Sequence, residues 1–243
     1  MEPLIRLNNV SFVGQNVRII QKINLDIDEG KTTALVGASG CGKSTLLKLC
    51  AGLLLPTSGE VCYRGKSISA MNRQQTMEFR RESAFVFQDS ALWANQTLYQ
   101  SLELPLKIHC PELSGGQRKE RIQKVMSEVG YRRDLQTRPS ALSMGEQKLI
   151  GFARAIMCSP TLLFLDEWTE SLDDNAANRL VSLVKRRQLD NNTIVFISHN
   201  PGLIKSLAQI VIVIVGGYVY LKLTAEQIRE DADLAELVEK GIA

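Results

Sequence analysis

Short apolar runs, each four to six residues long and separated by longer mixed stretches, constrain the fold of this 243-residue chain more than any other feature. They are rich in Val, Ile, Leu and Phe, a composition typical of strands buried on both faces of a parallel sheet. The runs cover residues 33–36, 84–87, 162–165, 193–197 and 210–215. The sequence therefore predicts an α/β core built on a largely parallel sheet.

Alternating apolar residues near the start of the chain follow a different pattern. A period of two is typical of strands with only one buried face. The alternating positions are Ile5, Leu7, Ile23, Leu25 and Ile27. They predict half-buried strands in an additional antiparallel sheet.

Helical periodicity replaces the apolar runs in the middle of the chain. The apolar residues of 120–129 recur at spacings of three and four, as on one face of a helix, so we expect residues 90–158 to form an inserted helical lobe. The whole chain, 1–243, is then one domain whose core comprises residues 1–89 and 159–223.

The tail, residues 224–243, is predicted to be one amphipathic helix. Its apolar positions are Ile228, Leu234, Leu237 and Val238.

Composition and charge narrow the class of protein. The 29 basic and 26 acidic residues leave a net charge of +3, too small to indicate nucleic acid. Five cysteines without a CxxC pair indicate reduced thiols in a cytosol, and the first residues do not resemble a signal peptide. The longest apolar run, 210–215, is far shorter than the roughly 20 residues of a membrane-spanning helix. We therefore expect a cytoplasmic protein that does not cross a bilayer by itself.

Residues 37–44 fit the pattern G-x-x-x-x-G-K-[ST] and lie between the run 33–36 and the helix predicted at 44–50. In such a loop the glycines let backbone N–H groups surround phosphate oxygens, and the helix N-terminus adds its positive dipole end. Lys43 supplies a charge for the β and γ phosphates, and Ser44 a ligand for Mg²⁺. The residues predicted to bind nucleotide here are Gly37, Ala38, Ser39, Gly40, Cys41, Gly42, Lys43, Ser44 and Thr45.

The run 162–165 ends in two acids, Asp166 and Glu167. Ligands of open α/β sheets bind at the carboxyl ends of the strands, where these acids fall. Taken alone, such a pair is more often the N-cap of a helix. With the phosphate loop present, we expect Asp166 to hold Mg²⁺ and Glu167 to polarise the attacking water.

After Leu142, residues 143–147 read Ser-Met-Gly-Glu-Gln and resemble the ABC signature, usually LSGGQ. They lie 23 residues before Asp166. The phosphate loop, Gln88, this signature, the acidic strand end, the Ser-Leu-Asp of 171–173 and His199 follow one another in the order of ABC ATPases. The resemblance covers residues 4–222. It implies a P-loop NTPase (RecA-like) core with an antiparallel β subdomain and an inserted α-helical subdomain.

The resemblance also implies a head-to-tail dimer that holds ATP between the phosphate loop of one subunit and the signature of its partner. Ser143 and Gly145 would contact the γ-phosphate across the interface, and Asp173 would belong to the same nucleotide site. Gln88 would sense Mg²⁺ and a membrane partner. His199 would hold the γ-phosphate and the attacking water, which makes Glu167, His199 and Gln88 the predicted catalytic residues.

Several residues depart from the family pattern. Trp168 replaces the usual Pro, and Met144 and Glu146 replace a Gly and a Gln of the signature, so these changes could slow hydrolysis. The aromatic platform for adenine is assigned to Phe12, although a strand Phe packs in a core at least as often.

A second stretch, residues 113–117, spells LSGGQ letter for letter but lies too far from the acidic strand end, with Ser114 52 residues before Asp166. Ser114 and Gln117 have the spacing of a capping box, which explains the motif without a ligand. We expect it to begin a helix.

Three classes of ABC protein compete. Translation factors carry two ATPase units, and chromosome-maintenance ATPases separate the two halves of the site by long coiled coils, whereas this chain has one unit and no sustained heptads. A transporter motor remains, at the cytoplasmic face of the inner membrane, with transmembrane permease subunits and a second copy of itself as partners. Nucleic acid and direct cargo contact are not expected. Leu92 and Trp93 are candidate docking residues, with core packing as the alternative. The segment that contains these two residues resembles the corresponding part of the motors of phospholipid-trafficking importers.

Overall fold

The computed structural model describes residues 2–231, 234 and 236. Within them, six strands form one sheet in the order β10-β9-β3-β8-β7-β6, in which β10 is antiparallel to β9 and the other neighbouring pairs are parallel. The strands are β3 (Thr32–Val36), β6 (Ser83–Val86), β7 (Leu162–Asp166), β8 (Thr193–Ile197), β9 (Ile210–Val215) and β10 (Tyr218–Thr224). The predicted α/β core with a mostly parallel sheet is confirmed.

Alternate residues of the central strands pack into two separate cores. In β7, Leu163 and Leu165 belong to the core shared with the helical lobe, while Leu162 and Phe164 belong to the core beneath the N-terminal strands. Because both faces of the strand are buried, its sequence is continuously apolar. This is the physical origin of the short apolar runs.

A second sheet, in the order β2-β1-β4-β5, is antiparallel. It comprises β1 (Ile5–Gly14), β2 (Val17–Ile27), β4 (Ser58–Tyr63) and β5 (Lys66–Ser67). Ile5 pairs with Ile27 and Leu7 with Leu25, so the alternating apolar residues share one buried face. The predicted antiparallel β subdomain is confirmed.

Helices surround the large sheet and form the inserted lobe. They are α1 (Lys43–Cys50), α2 (Arg73–Glu82), α3 (Leu98–His109), α4 (Gly115–Val129), α5 (Met144–Ala155), α6 (Asp174–Leu189), α7 (Pro201–Leu207) and α8 (Ala225–Glu230). The lobe consists of α3, α4 and α5, which contact one another between β6 and β7. The division of the chain at residues 90 and 158 stays a prediction.

The second LSGGQ stretch begins α4. The Ser114 hydroxyl accepts a hydrogen bond from the Gln117 N–H, and the Gln117 side chain accepts one from the Ser114 N–H. The predicted capping box is confirmed, and it accounts for these residues locally.

The prediction of one continuous helix for the tail is wrong. α8 ends at Glu230, and Asp231 has an extended backbone whose carboxylate accepts the N–H of Leu234. An aspartate in this role starts a new helical segment, since its side chain competes with the backbone for N–H groups. Leu237 and Val238 lie outside the described residues.

No helix among residues 2–231, 234 and 236 has both the length and the apolar character that spanning a membrane requires.

The two tryptophans of the chain occupy opposite environments. Trp168 is 1% exposed and stacks on Phe152 of α5 with ring centroids 5.8 Å apart, whereas Trp93 is 48% exposed. We expect Trp168→Ala to lower the free energy of unfolding by about 3–5 kcal/mol, because it removes a large buried side chain. Trp93→Ala is the matched control and should change it by less than about 0.5 kcal/mol. Denaturant unfolding of both variants measures this change. Equal effects of the two substitutions would contradict the conclusion that Trp168 is buried and Trp93 is exposed.

Candidate functional site

Three adjacent strands, β3, β8 and β7, end at the same edge of the large sheet. Leu35 pairs with Ile197, and Ile197 pairs with Asp166. The phosphate loop follows β3, the acidic pair closes β7, and His199 comes two residues after β8. The ladder therefore brings three distant parts of the sequence together at its carboxyl edge.

The shape of the phosphate loop depends on two glycines. A Cβ on Gly37, where φ is 155°, would lie 2.3 Å from the carbonyl oxygen of Ile214. A Cβ on Gly42, where φ is 104°, would lie 2.9 Å from Ile20 Cδ1 and 3.0 Å from the Ile19 carbonyl oxygen. Because neither position tolerates a side chain, the loop can run close to the neighbouring strands and deliver α1 directly from Gly42.

Lys43 lies across this loop. Its side chain is 7% exposed, and its Nζ donates to the carbonyl oxygens of Gly37 at 2.7 Å and Ala38 at 3.0 Å. The ammonium is thus fixed beside the backbone N–H groups at the start of α1. Together they form an anion-binding surface.

Ser44 and Asp166 form the second part of the site. The Ser44 hydroxyl donates to Asp166 Oδ1 at 3.0 Å, and the aspartate is 2% exposed. Burial raises the pKa of Asp166, although the Ser44 hydrogen bond and nearby lysines oppose this. A divalent cation would offset the buried charge. Hydroxyl and carboxylate oxygens are ligands that Mg²⁺ prefers, so these residues fit that ion.

Glu167 follows directly, with a left-handed backbone at φ 44°. Its Oε1 lies 3.4 Å from His199 Nε2 and, among the described residues, accepts no hydrogen bond. Burial raises the pKa of Glu167, the His199 charge lowers it, and Glu170 and Asp166 raise it further. A buried carboxylate oxygen that lacks a donor is suited to accept a proton from water.

Most of these groups line one cavity of about 520 Å³, whereas Asp166 lines an adjoining cavity of about 470 Å³ that shares Ser44 and Gln88 with it. Nine residues predicted from the sequence lie along the 520 Å³ cavity: Ser39, Gly40, Gly42, Lys43, Ser44, Thr45, Gln88, Glu167 and His199. Gly37, Ala38 and Cys41 complete the loop.

Phe12, Ser143, Gly145 and Asp173 are not among the residues that line this cavity. Phe12 is half-buried against the N-terminal core, Ser143 caps α5, and Asp173 caps α6 by accepting the Ala176 N–H. Ser143 is exposed, and a Cβ on Gly145 would lie 3.1 Å from the Ser171 carbonyl oxygen. The roles given to these four residues stay predictions.

Glu146 has two partners, of which only the Ser143 N–H follows from the Ser-x-x-Glu spacing of a capping box. Its Oε1 accepts from Arg133 at 2.7 Å, and its Oε2 accepts the Ser143 N–H at 2.9 Å. Arg133 and the Ser143 N–H hold the pKa of this carboxyl below its usual range. The signature therefore carries a paired carboxylate.

Sequence reasoning missed the roles of Lys148 and Glu170. Gln88 Nε2 donates to Glu170 Oε2 at 3.2 Å, and Lys148 Nζ donates to the Glu167 carbonyl oxygen at 2.7 Å. No motif pointed to either residue. The one available signal was an acidic residue at 170, close to Glu167.

The nucleoside-triphosphatases of the P-loop class are defined by a strand, a glycine-rich loop and a helix, with a lysine over the loop. Acids at the end of another strand of the same sheet complete the pattern. A family model described as ABC transporter matches residues 20–170. The chain belongs to this family, and the family resemblance of its motifs is confirmed.

Similar proteins and solved structures support the same family assignment. An uncharacterized ABC transporter ATP-binding protein of Methanocaldococcus jannaschii is 36% identical over 193 residues, 79% of this chain and 85% of that protein. Methionine import ATP-binding protein MetN 1 of Bacillus thuringiensis is 31% identical over 221 residues, 89% of this chain, which spans 65% of that protein's length. A dimeric ATP-binding cassette in a post-hydrolysis state with ADP and Pi has a TM-score of 0.84 at 27% identity, covering 91% of this chain and 98% of that one. The chain is an ATP-binding, ATP-hydrolysing motor subunit of ABC transporters.

Replacing Glu167 with Gln should raise the thermal midpoint of the nucleotide-free protein at pH 7.5. The pKa of Glu167 is raised, so ionising this carboxyl at pH 7.5 costs stability that a neutral amide does not. Each kcal/mol regained is worth about 2–4 °C. The gain should shrink as the pH falls, because below the unfolded-state pKa the carboxyl is protonated in both states.

The exposed Glu120 provides the control, since Glu120→Gln should shift the midpoint little at any pH. Calorimetry between pH 7.5 and pH 5 measures the difference. A gain in thermal midpoint that grows on acidification would contradict the raised pKa of Glu167.

Proposed function

We propose that this chain binds Mg-ATP in the 520 Å³ cavity and hydrolyses it as a head-to-tail pair of copies, driving a transmembrane permease. The convergence of the phosphate loop, Asp166, Glu167 and His199 at one sheet edge carries this proposal. Ser44, Asp166 and the Gln88 amide are the ligands proposed for Mg²⁺. The ion would neutralise charge on the phosphates when bound.

The reaction is an in-line displacement by water. Glu167 takes a proton from the water, whose oxygen bonds to the γ-phosphorus as the bond to the β–γ bridging oxygen breaks. ADP and phosphate leave. His199 orients the water beside Glu167, and Lys43 holds the β and γ phosphates. The raised pKa of Glu167 makes this carboxylate a stronger base than an exposed glutamate.

A second copy completes the site. The signature lies outside the 520 Å³ cavity of its own chain: Ser143 is exposed, and Met144 is 68% exposed and lines the adjoining cavity that contains Ser44 and Asp166. In a head-to-tail pair, Ser143 and Gly145 would contact the phosphates held by the partner copy. The Arg133 ion pair with Glu146 supports this arrangement, because it offsets a carboxylate that would face an anionic ligand.

A groove of about 420 Å³ is the site proposed for the permease. Its mouth carries large exposed apolar side chains, Leu53, Trp93 and Ile108, whereas Leu92 packs against the core. Phe87, the residue before Gln88, also lines the groove. A permease segment seated there would touch the chain beside Gln88 and so communicate with the nucleotide site. The same contact would hold this chain at the cytoplasmic face of the membrane.

The relatives leave the cargo open. One relative is a methionine import ATP-binding protein, and the resemblance to phospholipid-trafficking importers stays a prediction.

The dimer is tested with Glu167→Gln protein and Mg-ATP, by size exclusion with light scattering at several protein concentrations. We expect an ATP-dependent dimer that Ser143→Arg abolishes and Ser114→Arg preserves. The control is closely matched, since both serines cap a helix through a capping box with hydrogen bonds of 3.2 and 3.3 Å. A dimer that survives both changes, or a chain that binds ATP and stays monomeric throughout, would contradict the proposal.

The groove is tested by fractionating native host cells that express the full chain. Unaltered protein should sediment with membranes, whereas Trp93→Asp and Ile108→Asp should move it to the supernatant, because a carboxylate in an apolar contact carries a desolvation cost. Tyr220→Asp, at a side chain 61% exposed elsewhere, is the control and should stay with membranes. The groove is ruled out if all four proteins fractionate alike.

A further inference from the structure

Lys148 and Glu170 are charged side chains at the edge of the nucleotide cavity that no motif assigns. Lys148 is 4% exposed, and its Nζ lies 2.7 Å from the Glu167 carbonyl oxygen and 3.8 Å from Glu170 Oε2. The same oxygen of Glu170 accepts from Gln88 Nε2 at 3.2 Å. One carboxylate oxygen thus lies between an amide and an ammonium.

The contacts join three separate segments. Gln88 follows β6, Lys148 lies in α5 of the helical lobe, and Glu167 and Glu170 follow β7. Because Lys148 donates to the carbonyl of a residue with φ 44°, it also supports the left-handed backbone that presents the Glu167 side chain.

Lys148 offsets part of the negative charge at this junction. Asp166, Glu167 and Glu170 put three carboxylates beside a cavity that takes a triphosphate. Burial lowers the pKa of Lys148, and these three carboxylates oppose the lowering, Glu170 most strongly. A buried ammonium is costly without a paired charge, and an unpaired carboxylate here would repel phosphate. Each member of the pair therefore offsets the cost of the other.

We propose that Lys148 and Glu170 form a pair of positioning residues that ties Gln88 and the Glu167 backbone to α5 while keeping the cavity's charge compatible with a triphosphate. The inference rests on the proposed function, because it assigns the pair a role toward Mg-ATP at that site. Movement of the Gln88 segment by a partner in the groove would reach Glu167 through this pair.

The test is a double-mutant cycle. Lys148→Gln removes the charge but keeps a donor for the Glu167 carbonyl, and Glu170→Gln keeps an acceptor for Gln88. Mg-ATP affinity is measured by isothermal titration calorimetry on full-length Glu167→Gln protein, in which hydrolysis is blocked.

We expect Lys148→Gln to weaken Mg-ATP binding about tenfold when Glu170 is present, but only about twofold when residue 170 is Gln, since the carboxylate that Lys148 pairs with is then absent. Glu170→Gln alone should change affinity by less than about twofold, because weaker repulsion of phosphate and a weaker, uncharged acceptor for Gln88 oppose each other. The exposed pair Glu120 and Lys124 of α4, altered in the same way, should show no effect.

A second variant applies if Lys148→Gln does not fold. Glu170 is 56% exposed, so Glu170→Lys should fold. It would displace Lys148 from the Glu167 carbonyl and lower kcat about tenfold without raising the KM for ATP. An unchanged kcat would overturn the proposal.

The outcomes separate the two proposals. If the chain with Glu at residue 167 hydrolyses ATP but the effects in the cycle are additive, only the proposed role of the pair is overturned. If the unaltered chain does not bind Mg-ATP, and the Lys43→Ala variant behaves in the same way, both the proposed function and the proposed role of the pair are overturned.

Discussion

The parallel hydrogen bonding of β8 with β3 on one side and β7 on the other is the constraint on which the rest of the structure depends. These strands start from positions about 130 and 30 residues apart in the chain, yet their carboxyl ends share one edge. A shift of one residue in either ladder would exchange the two buried faces and separate the phosphate loop from the acids. Burial alone does not prevent this shift, because both faces of these strands are buried; the particular side chains packed into the two cores do.

Helix α5 is the element through which the helical lobe meets this edge. On one side, Arg154 donates to the carbonyl oxygens of Ser90 and Ala91, next to the Gln88 segment. On the other side, Lys148 holds the backbone of Glu167 and Phe152 packs on Trp168. A rigid helix with contacts at both segments can transmit a displacement, whereas a flexible loop would absorb it. The arrangement suits a motor whose two ends must respond to each other.

Two departures from the family pattern are compatible with the fold because the surrounding residues compensate for them. Trp168 occupies a fully buried position against α5, so the packing of its side chain replaces the backbone restraint that the usual Pro would supply. Glu146 is held by Arg133 and by the N–H of Ser143, which offset its charge. Both residues depart from the family pattern, but Arg133 and Phe152 lie 13 and 16 positions away from them in the chain and could not be deduced from that pattern.

The sequence by itself determined the class of fold and the identity of most groups at the nucleotide site. Buried strands, glycines with left-handed backbone and capping boxes are local properties, so residues 37–44, Asp166 and Glu167 could be proposed from pattern and position, whereas His199 followed from the resemblance to ABC ATPases. Tertiary structure decided which polar side chains pair: Glu170 with the Gln88 amide and with Lys148, and Glu146 with Arg133. It also decided that Phe12 packs against the N-terminal core and that the tail helix ends before Asp231. These outcomes depend on side chains brought together by the fold, and an ion pair between distant elements leaves no periodicity in the sequence.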